Sequence, residues 1–193
     1  TAETGEWLDG PKDKLFCEVR AKLGDIPMIA EDLGFMDEGV ERLRVATGFP
    51  GMKIALFAFD GNPDNDYLPH NMHENSVAYT GTHDNATALG LLEKMTEAQF
   101  KVFKKRLRAE MKEIGLVLPF VTREEAARAL VALTLASPAK LAVIPVQDLL
   151  GLNDEARMNI PSTVVGNWQF RLMEKPSRYH AAILRKMIKA FER

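Results

Sequence analysis

The sequence predicts an α/β fold with parallel strands and outer helices. Four short apolar runs each end at acidic or polar residues and are followed by a loop or a helical pattern; they lie near 26–31, 52–59, 77–82 and 141–147. Alternating strand-like and helix-like segments are typical of α/β proteins, and runs that are apolar almost throughout indicate parallel strands covered on both faces. Barrel active sites lie where such strands end, so the four runs predict half of a (β/α)₈ TIM barrel.

Helices are predicted wherever apolar residues recur at helical spacing, at about 12–23, 38–46, 96–114, 122–136 and 177–192. Asp37 is the predicted N-cap of the second helix, and Gly48 and Pro50 are predicted to end it. The helix at 96–114 carries many lysines and arginines, but glutamates are interspersed among them. This mixture favours a solvated amphipathic face over a nucleic-acid patch.

Between these elements, two stretches are predicted to be loops. Residues 60–75 are rich in Asn, Asp and Pro, and residues 147–176 show little periodicity. A loop as long as the second one inside a compact domain is usually functional.

Composition excludes several classes of protein. At 193 residues and 46% hydrophobic the chain can bury a core of single-domain size, and a net charge of −2 gives no general attraction to nucleic acid or anionic membranes. The single cysteine excludes an intramolecular disulfide and fits a reducing compartment. No run approaches the roughly 20 apolar residues of a membrane span, and the amino terminus does not resemble a signal peptide. We therefore expect a cytoplasmic protein.

Longer motifs then identify a family. Ile-Ala-Glu-Asp-Leu-Gly at 29–34 and Tyr-Thr-Gly-Thr-His-Asp-Asn at 79–85 resemble motifs of the 4-α-glucanotransferases, also called amylomaltases or disproportionating enzymes. The resemblance continues, in the family's order, at 48–53, 57–63, 67–71, 145–148, 155–159 and 166–168. It extends from Gly5 to about Leu172. Family members are much longer, so the resemblance implies that residues 1–193 are the carboxyl-terminal part of a barrel catalytic domain whose amino-terminal part is absent; the lack of an initiator methionine agrees with this.

The resemblance also implies roles in retaining glycosyl transfer, which needs two carboxyl groups about 5–5.5 Å apart. Glu31 matches the acid/base, and Asp84 matches the carboxylate that grips sugar hydroxyls and stabilises the transition state. The nucleophile, an aspartate on an earlier barrel strand in this family, is not among the matched positions. Asp32 cannot replace it, because adjacent strand residues point to opposite faces.

Further residues are predicted to contact the substrate, namely His83, Asn85, Asp60 and Asn159. Asp60 follows a strand and could equally be a turn former. Two other residues of the matched motifs have open roles. Arg157 is expected to be structural and to pair with a carboxylate beneath the site, and Trp168 is either a sugar-stacking platform or a buried aromatic anchor. We expect Glu31, Asp60, Asp84 and Asn159 to line one face at the strand ends.

Neither a metal nor a cofactor is predicted. Residues 60–66 imitate a calcium loop, but Asn65 and Asn71 stand where such a loop has its glycine and its bidentate glutamate. The spacing of His70, His73 and Glu74 is too mixed for a zinc site without further ligands. The sequence also lacks a phosphate-binding glycine loop and a dinucleotide fingerprint.

Three functions therefore compete. The favoured one is transfer of an α-1,4-glucan segment to the 4-hydroxyl of an acceptor glucan or glucose. The alternatives are a non-catalytic glucan-binding or interaction fragment and a hydrolase of the wider α-amylase superfamily. The expected partners are an α-1,4-glucan or maltooligosaccharide and either the missing amino-terminal portion or a second copy of the chain, with no nucleic acid and no membrane.

Overall fold

The computed structural model describes residues 3–6, 8–34, 36–173 and 175–193. Trp7, near the start of the family resemblance, lies outside the described residues. The chain forms two compact units, Thr1–Met52 and Lys53–Arg193.

The amino-terminal unit contains helices α1 (Asp13–Leu23) and α2 (Glu38–Thr47). Asp37 caps α2 as predicted, because its side chain accepts a hydrogen bond from Val40 N at 2.8 Å. Gly48 ends the helix with a φ of 74°, a left-handed conformation that glycine adopts without the penalty of a side chain. Both boundaries therefore follow from local sequence signals.

Three strands are present among the described residues, where four were predicted. They are β1 (Gly51–Ile54), β2 (Ser76–Tyr79) and β3 (Leu141–Val143), in the sheet order β1-β2-β3. The predicted strand at 26–31 is represented by a single parallel bridge between Ala30 and Gly51. Pro27 has no N–H to donate within that run, which shortens the segment that can pair.

The parallel α/β prediction is confirmed by the pairing of β2 with β3, in which Val77 faces Leu141 and Tyr79 faces Val143. The strands are shorter than predicted. β1 passes directly into a 3₁₀ turn at Ala55–Phe57, and β3 ends two residues before Pro145.

The carboxyl-terminal unit contains α3 (Ala88–Glu93), α4 (Glu97–Glu113), α5 (Arg123–Ala136), α6 (Val146–Leu150) and α7 (Arg178–Ala190). The sequence predicts α4, α5 and α7 within two residues of their observed ends. Capping boxes built on Thr96 and Thr122 begin α4 and α5. The short helices α3 and α6 were not predicted. Within the described residues, no helix combines the length and apolar character that crossing a membrane requires.

Helix α5 forms the centre of the main core, packing against α3, α4 and α6. Its alanines let neighbouring helices approach closely, while Leu130 and Leu133 fill the space between them. Leu92 of α3 and Leu107 of α4 contribute to the same cluster. This core fixes α3, which directly follows the loop that carries the candidate site.

The central role of α5 predicts that Leu130→Ala lowers the free energy of unfolding by about 2–5 kcal/mol, because it leaves a cavity in a close-packed core. Leu130 is fully buried, whereas Leu118 is 38% exposed. Leu118→Ala is therefore the matched control and should cost about 1 kcal/mol or less. Urea denaturation of both variants measures the difference, and equal losses would contradict this assignment of the core.

Candidate active site

The loop after β2 carries the residues that match the family's sugar-gripping motif. Its shape is set by Asn85, whose Oδ1 accepts hydrogen bonds from Thr82 N at 2.8 Å and from Thr82 Oγ1 at 2.9 Å. Asn85 also lines a cleft at this loop. Its carbonyl oxygen is thus used within the loop, and its contact with substrate stays a prediction.

Asp84 lies at the centre of a polar cluster. Asn159 Nδ2 donates to Asp84 Oδ1 at 2.6 Å, and His83 Nε2 lies 3.3 Å from the same oxygen. The side chains of His83 and Asp84 are each about half exposed. The structure therefore brings together three residues that were predicted to contact the sugar, and it leaves two of them open to a ligand.

Arg157 connects this cluster to the extended segment that ends at Asn159. Its NH2 group donates to the backbone oxygen of Asp84 at 2.7 Å, and its Nε donates to the backbone oxygen of Asn159 at 2.8 Å. Asn159 N in turn donates to the backbone oxygen of His83 at 3.0 Å. The expected pairing of Arg157 with a carboxylate was wrong, because its observed partners are main-chain carbonyls.

Trp168 is exposed rather than buried. Its relative exposure is 56%, and its ring centroid lies 5.1 Å from that of His83, with a tilt of 36° between the planes. It lines a cleft of about 220 Å³ together with Thr82, His83, Asn85, Ala86, Thr87, Pro145, Gln147, Asp148, Arg157 and Met158. The buried-anchor interpretation is therefore wrong, and Trp168 lies in the wall of the cleft.

Asp148 is a residue of this cleft for which the sequence predicted no role, although it lies in the matched motif at 145–148. It is 3% exposed and accepts hydrogen bonds from the Thr80 hydroxyl and from Ala88 N, the latter at 2.7 Å. Burial raises the pKa of Asp148, and these two donors oppose the rise. Its position just after a strand was a usable signal, the same one that marks Asp84.

Asp154 also holds the start of α3. Its Oδ1 accepts a hydrogen bond from Thr87 N at 3.1 Å, and its Oδ2 pairs with Lys94. A carboxylate at a helix N-terminus satisfies N–H groups that have no partner within the helix. The helix that follows the loop is thus anchored by two carboxylates.

Asp60 lies on the surface and makes local contacts. Its Oδ1 accepts a hydrogen bond from Asn62 N at 2.9 Å. That backbone hydrogen bond, assisted by the Asn65 side chain, lowers the pKa of Asp60. Asp60 is not among the residues described as lining the cleft. Its observed contacts are local, as expected of a turn former.

Glu31 lies in the amino-terminal unit. It is exposed, and its Oε1 accepts a hydrogen bond from Leu33 N at 2.9 Å. The neighbouring Asp32 points inward and accepts from Met52 N at 2.6 Å, with Arg44 Nε 3.6 Å from its other oxygen. Asp32 thereby fixes the segment that carries Glu31. The convergence of Glu31 and Asp84 on one face remains a prediction.

Across the described part of the chain, no group of three or more His, Cys, Asp or Glu side chains could hold a metal ion. His70 instead pairs with the buried Glu110, with Nδ1 2.7 Å from Oε2. This pairing accounts for one residue of the zinc-like spacing.

Comparisons with known proteins identify the family. The strands, helices and polar cluster define an α/β protein with the Asp84 carboxylate next to a cleft. The family model described as 4-alpha-glucanotransferase, of glycoside hydrolase family 77, matches residues 1–176. The chain therefore belongs to the 4-alpha-glucanotransferase family.

Individual relatives agree with this assignment. The chain is 45% identical to a 4-alpha-glucanotransferase of Thermus thermophilus, covering 100% of this chain and 38% of the relative, and 43% identical to one of Clostridium butyricum, covering 89% and 33%. The structure of amylomaltase from Streptococcus agalactiae in complex with acarbose matches with a TM-score of 0.87 and 37% identity, over 100% of this chain and 37% of that chain. The chain thus spans less than two fifths of the length of these relatives.

The burial of Asp148 predicts a pH dependence of stability. Its folded-state pKa lies above the unperturbed value of 3.8, so between those two pKa values the folded chain binds more protons than the unfolded chain. The free energy of unfolding should therefore fall as pH rises through this window. Asp148→Asn keeps the side chain's shape but cannot ionise. Urea denaturation between about pH 4 and pH 7 should show the wild type losing stability relative to Asp148→Asn as pH rises.

Asp60→Asn is the control, because the free energy of unfolding should depend on pH in the opposite direction at this residue. Because the pKa of Asp60 is lowered, its contribution to stability is lost as pH falls through the folded-state pKa. The wild type should lose stability relative to that variant on acidification. A difference between wild type and Asp148→Asn that does not change with pH would contradict the assignment.

Proposed function

We propose that this chain is part of a 4-α-glucanotransferase, which transfers a segment of an α-1,4-glucan to the 4-hydroxyl of an acceptor glucan or glucose by a retaining double displacement. The observation that carries the proposal is the Asp84 carboxylate, which accepts a hydrogen bond from Asn159 and lies 3.3 Å from His83 Nε2, beside an open cleft in a chain of this family. The observed clustering of residues matched by resemblance supports the assignment.

Asp84 acts in this mechanism as the carboxylate that stabilises the transition state. Oδ1 is oriented by the hydrogen bond from Asn159 and lies 3.3 Å from His83 Nε2. The half-exposed carboxylate can accept hydrogen bonds from sugar hydroxyls through Oδ2. A carboxylate fixed before the sugar arrives stabilises developing positive charge without reorganising. His83 donates a hydrogen bond to the sugar. Asn159 mainly orients Asp84, and it also contacts the substrate.

Glu31 is the proposed acid/base. It protonates the leaving oxygen in the first displacement and deprotonates the acceptor hydroxyl in the second. The covalent intermediate between these steps requires the family's aspartate nucleophile, which is not among the matched positions of this chain. We propose that the remainder of a longer polypeptide supplies it.

The proposed architecture is the carboxyl-terminal half of a (β/α)₈ barrel, with residues 1–193 as part of one catalytic domain. The parallel β2–β3 pair, the helices that separate the strands and the likeness to amylomaltase support it. β3 stands at an edge of the described sheet, and its Leu141 and Val143 are exposed. A further barrel segment would cover these side chains.

We propose a cytoplasmic location because the single cysteine, Cys17, is a free thiol in the structure, which fits a reducing compartment. A relative from Solanum tuberosum is named as chloroplastic/amyloplastic, so fractionation of the source cell is the direct test.

A chimera tests the catalytic proposal, with this chain replacing the matching segment of the Thermus thermophilus relative. The chimera should convert maltotriose into both longer and shorter oligosaccharides, whereas the 193-residue chain alone should give no measurable product because the covalent step is missing. Glu31→Gln and Asp84→Asn in the chimera should each lower the rate about 100-fold or more. Chromatography of the oligosaccharide products measures all four.

Controls separate the alternatives. Glu18→Gln, on exposed α1, should leave the rate unchanged. Asp60→Asn reports whether that residue contacts substrate, since a turn former should tolerate the change. Accumulation of glucose and maltose without longer products would favour the hydrolase, and robust disproportionation by the isolated chain would refute the absence of the nucleophile.

The exposed edge predicts self-association of the isolated chain, because an uncovered strand with apolar side chains is a template for pairing. Leu141→Lys should shift the chain towards monomer in sedimentation velocity experiments. Val117→Lys is the matched control, since Val117 is exposed outside the sheet. A monomeric wild-type chain, or equal effects of both variants, would show that β3 is not the contact.

A further inference from the structure

We propose that the indole of Trp168 is the platform on which a glucosyl ring of the α-1,4-glucan stacks, next to the ring gripped by His83 and Asp84. This inference rests on the proposed function and adds a binding residue to the same site.

The first support is the exposure of Trp168. More than half of a large apolar side chain faces solvent at the rim of a cleft that also presents the polar side chains of His83 and Gln147. A pyranose ring has an apolar C–H face and a rim of hydroxyls, so it matches a site that combines one aromatic face with hydrogen-bonding groups. Covering this exposed indole with the apolar face of a sugar removes apolar surface from water, which favours binding.

The second support is the backbone conformation of Trp168. Its φ is 62°, in the left-handed region that bulky residues rarely adopt. Trp168 N donates to the backbone oxygen of Met158 at 2.7 Å, and Arg171 NH1 donates to the backbone oxygen of Trp168 at 3.1 Å. Strained residues held from both sides in this way concentrate at ligand sites. These backbone hydrogen bonds fix the position of Trp168 in the wall of the cleft.

The preceding residues hold this conformation. Asn167 Oδ1 accepts a hydrogen bond from Ile160 N at 2.9 Å, and Asn167 Nδ2 donates to Thr163 Oγ1 at 2.9 Å. Gly166 lies between Thr163 and Asn167, and its φ of 81° allows the chain to turn back at this point. The loop at 160–168 is therefore closed by its own hydrogen bonds and presents the indole before any ligand binds.

The third support is the pairing of the indole with His83. The two rings, 5.1 Å apart between centroids, form a continuous wall, and His83 also approaches the Asp84 carboxylate at 3.3 Å. A glucan whose hydroxyls reach His83 and Asp84 thus places its adjoining ring over Trp168.

Calorimetric titration of the 193-residue chain with maltoheptaose tests the proposal. Trp168→Asn removes the ring and keeps a residue that tolerates the left-handed conformation, so it should weaken binding about tenfold or more. Trp168→Phe keeps an aromatic face and should stay within about threefold of the wild type. Val165→Ala, a change of an exposed residue on the same loop, should leave affinity unchanged. Circular dichroism confirms that each variant is folded.

Fluorescence gives an independent readout. The chain has two tryptophans, so Trp7→Phe makes Trp168 the sole indole. Maltoheptaose should then change its emission in a saturable way, with the affinity found by calorimetry.

The inference is overturned if Trp168→Asn binds within about threefold of the wild type or if the wild-type chain shows no saturable binding. An active chimera whose KM is unaffected by Trp168→Asn would refute the platform and leave the proposed function standing. Binding that depends on Trp168, together with an inactive chimera, would support the platform and refute the proposed function.

Discussion

The site depends on one buried carboxylate beneath the loop that carries it. Asp148 accepts hydrogen bonds from Thr80, at the end of β2, and from Ala88, at the start of α3. These two residues flank the loop that contains His83 and Asp84, so a single side chain ties both ends of the loop together. Burying a carboxylate costs free energy unless donors surround it, and the raised pKa of Asp148 reflects the part of that cost that its donors do not offset.

The second constraint on the site is the set of hydrogen bonds that Arg157 donates. Its guanidinium binds the main-chain oxygens of Asp84 and Asn159, which joins two distant segments without contacting the Asp84 carboxylate. A direct ion pair with that carboxylate would compete with sugar hydroxyls for its oxygens. Using backbone acceptors holds the loop while leaving the functional carboxylate to Asn159, His83 and a ligand.

The helices could be predicted where their apolar residues recur at helical spacing or their ends carry strong caps. Helices α2, α4 and α5 carry apolar stripes or strong caps, and the sequence locates them within two residues. Helix α3 was missed because it has six residues, most of them buried, so it shows no periodic contrast. The apolar runs located three strands but overestimated their lengths, because hydrophobicity persists into the 3₁₀ turn after β1 and into the start of α6 after β3.

The sequence by itself determined the α/β class, the family and the segments that carry Asp84, His83 and Asn159, because these depend on local patterns and contiguous motifs. Only the tertiary structure decided that Arg157 binds carbonyls, that Asp148 supports the loop and that Trp168 is exposed beside His83. These contacts join residues 60 or more positions apart in most cases. Their partners depend on the path of the whole chain, which no local pattern specifies.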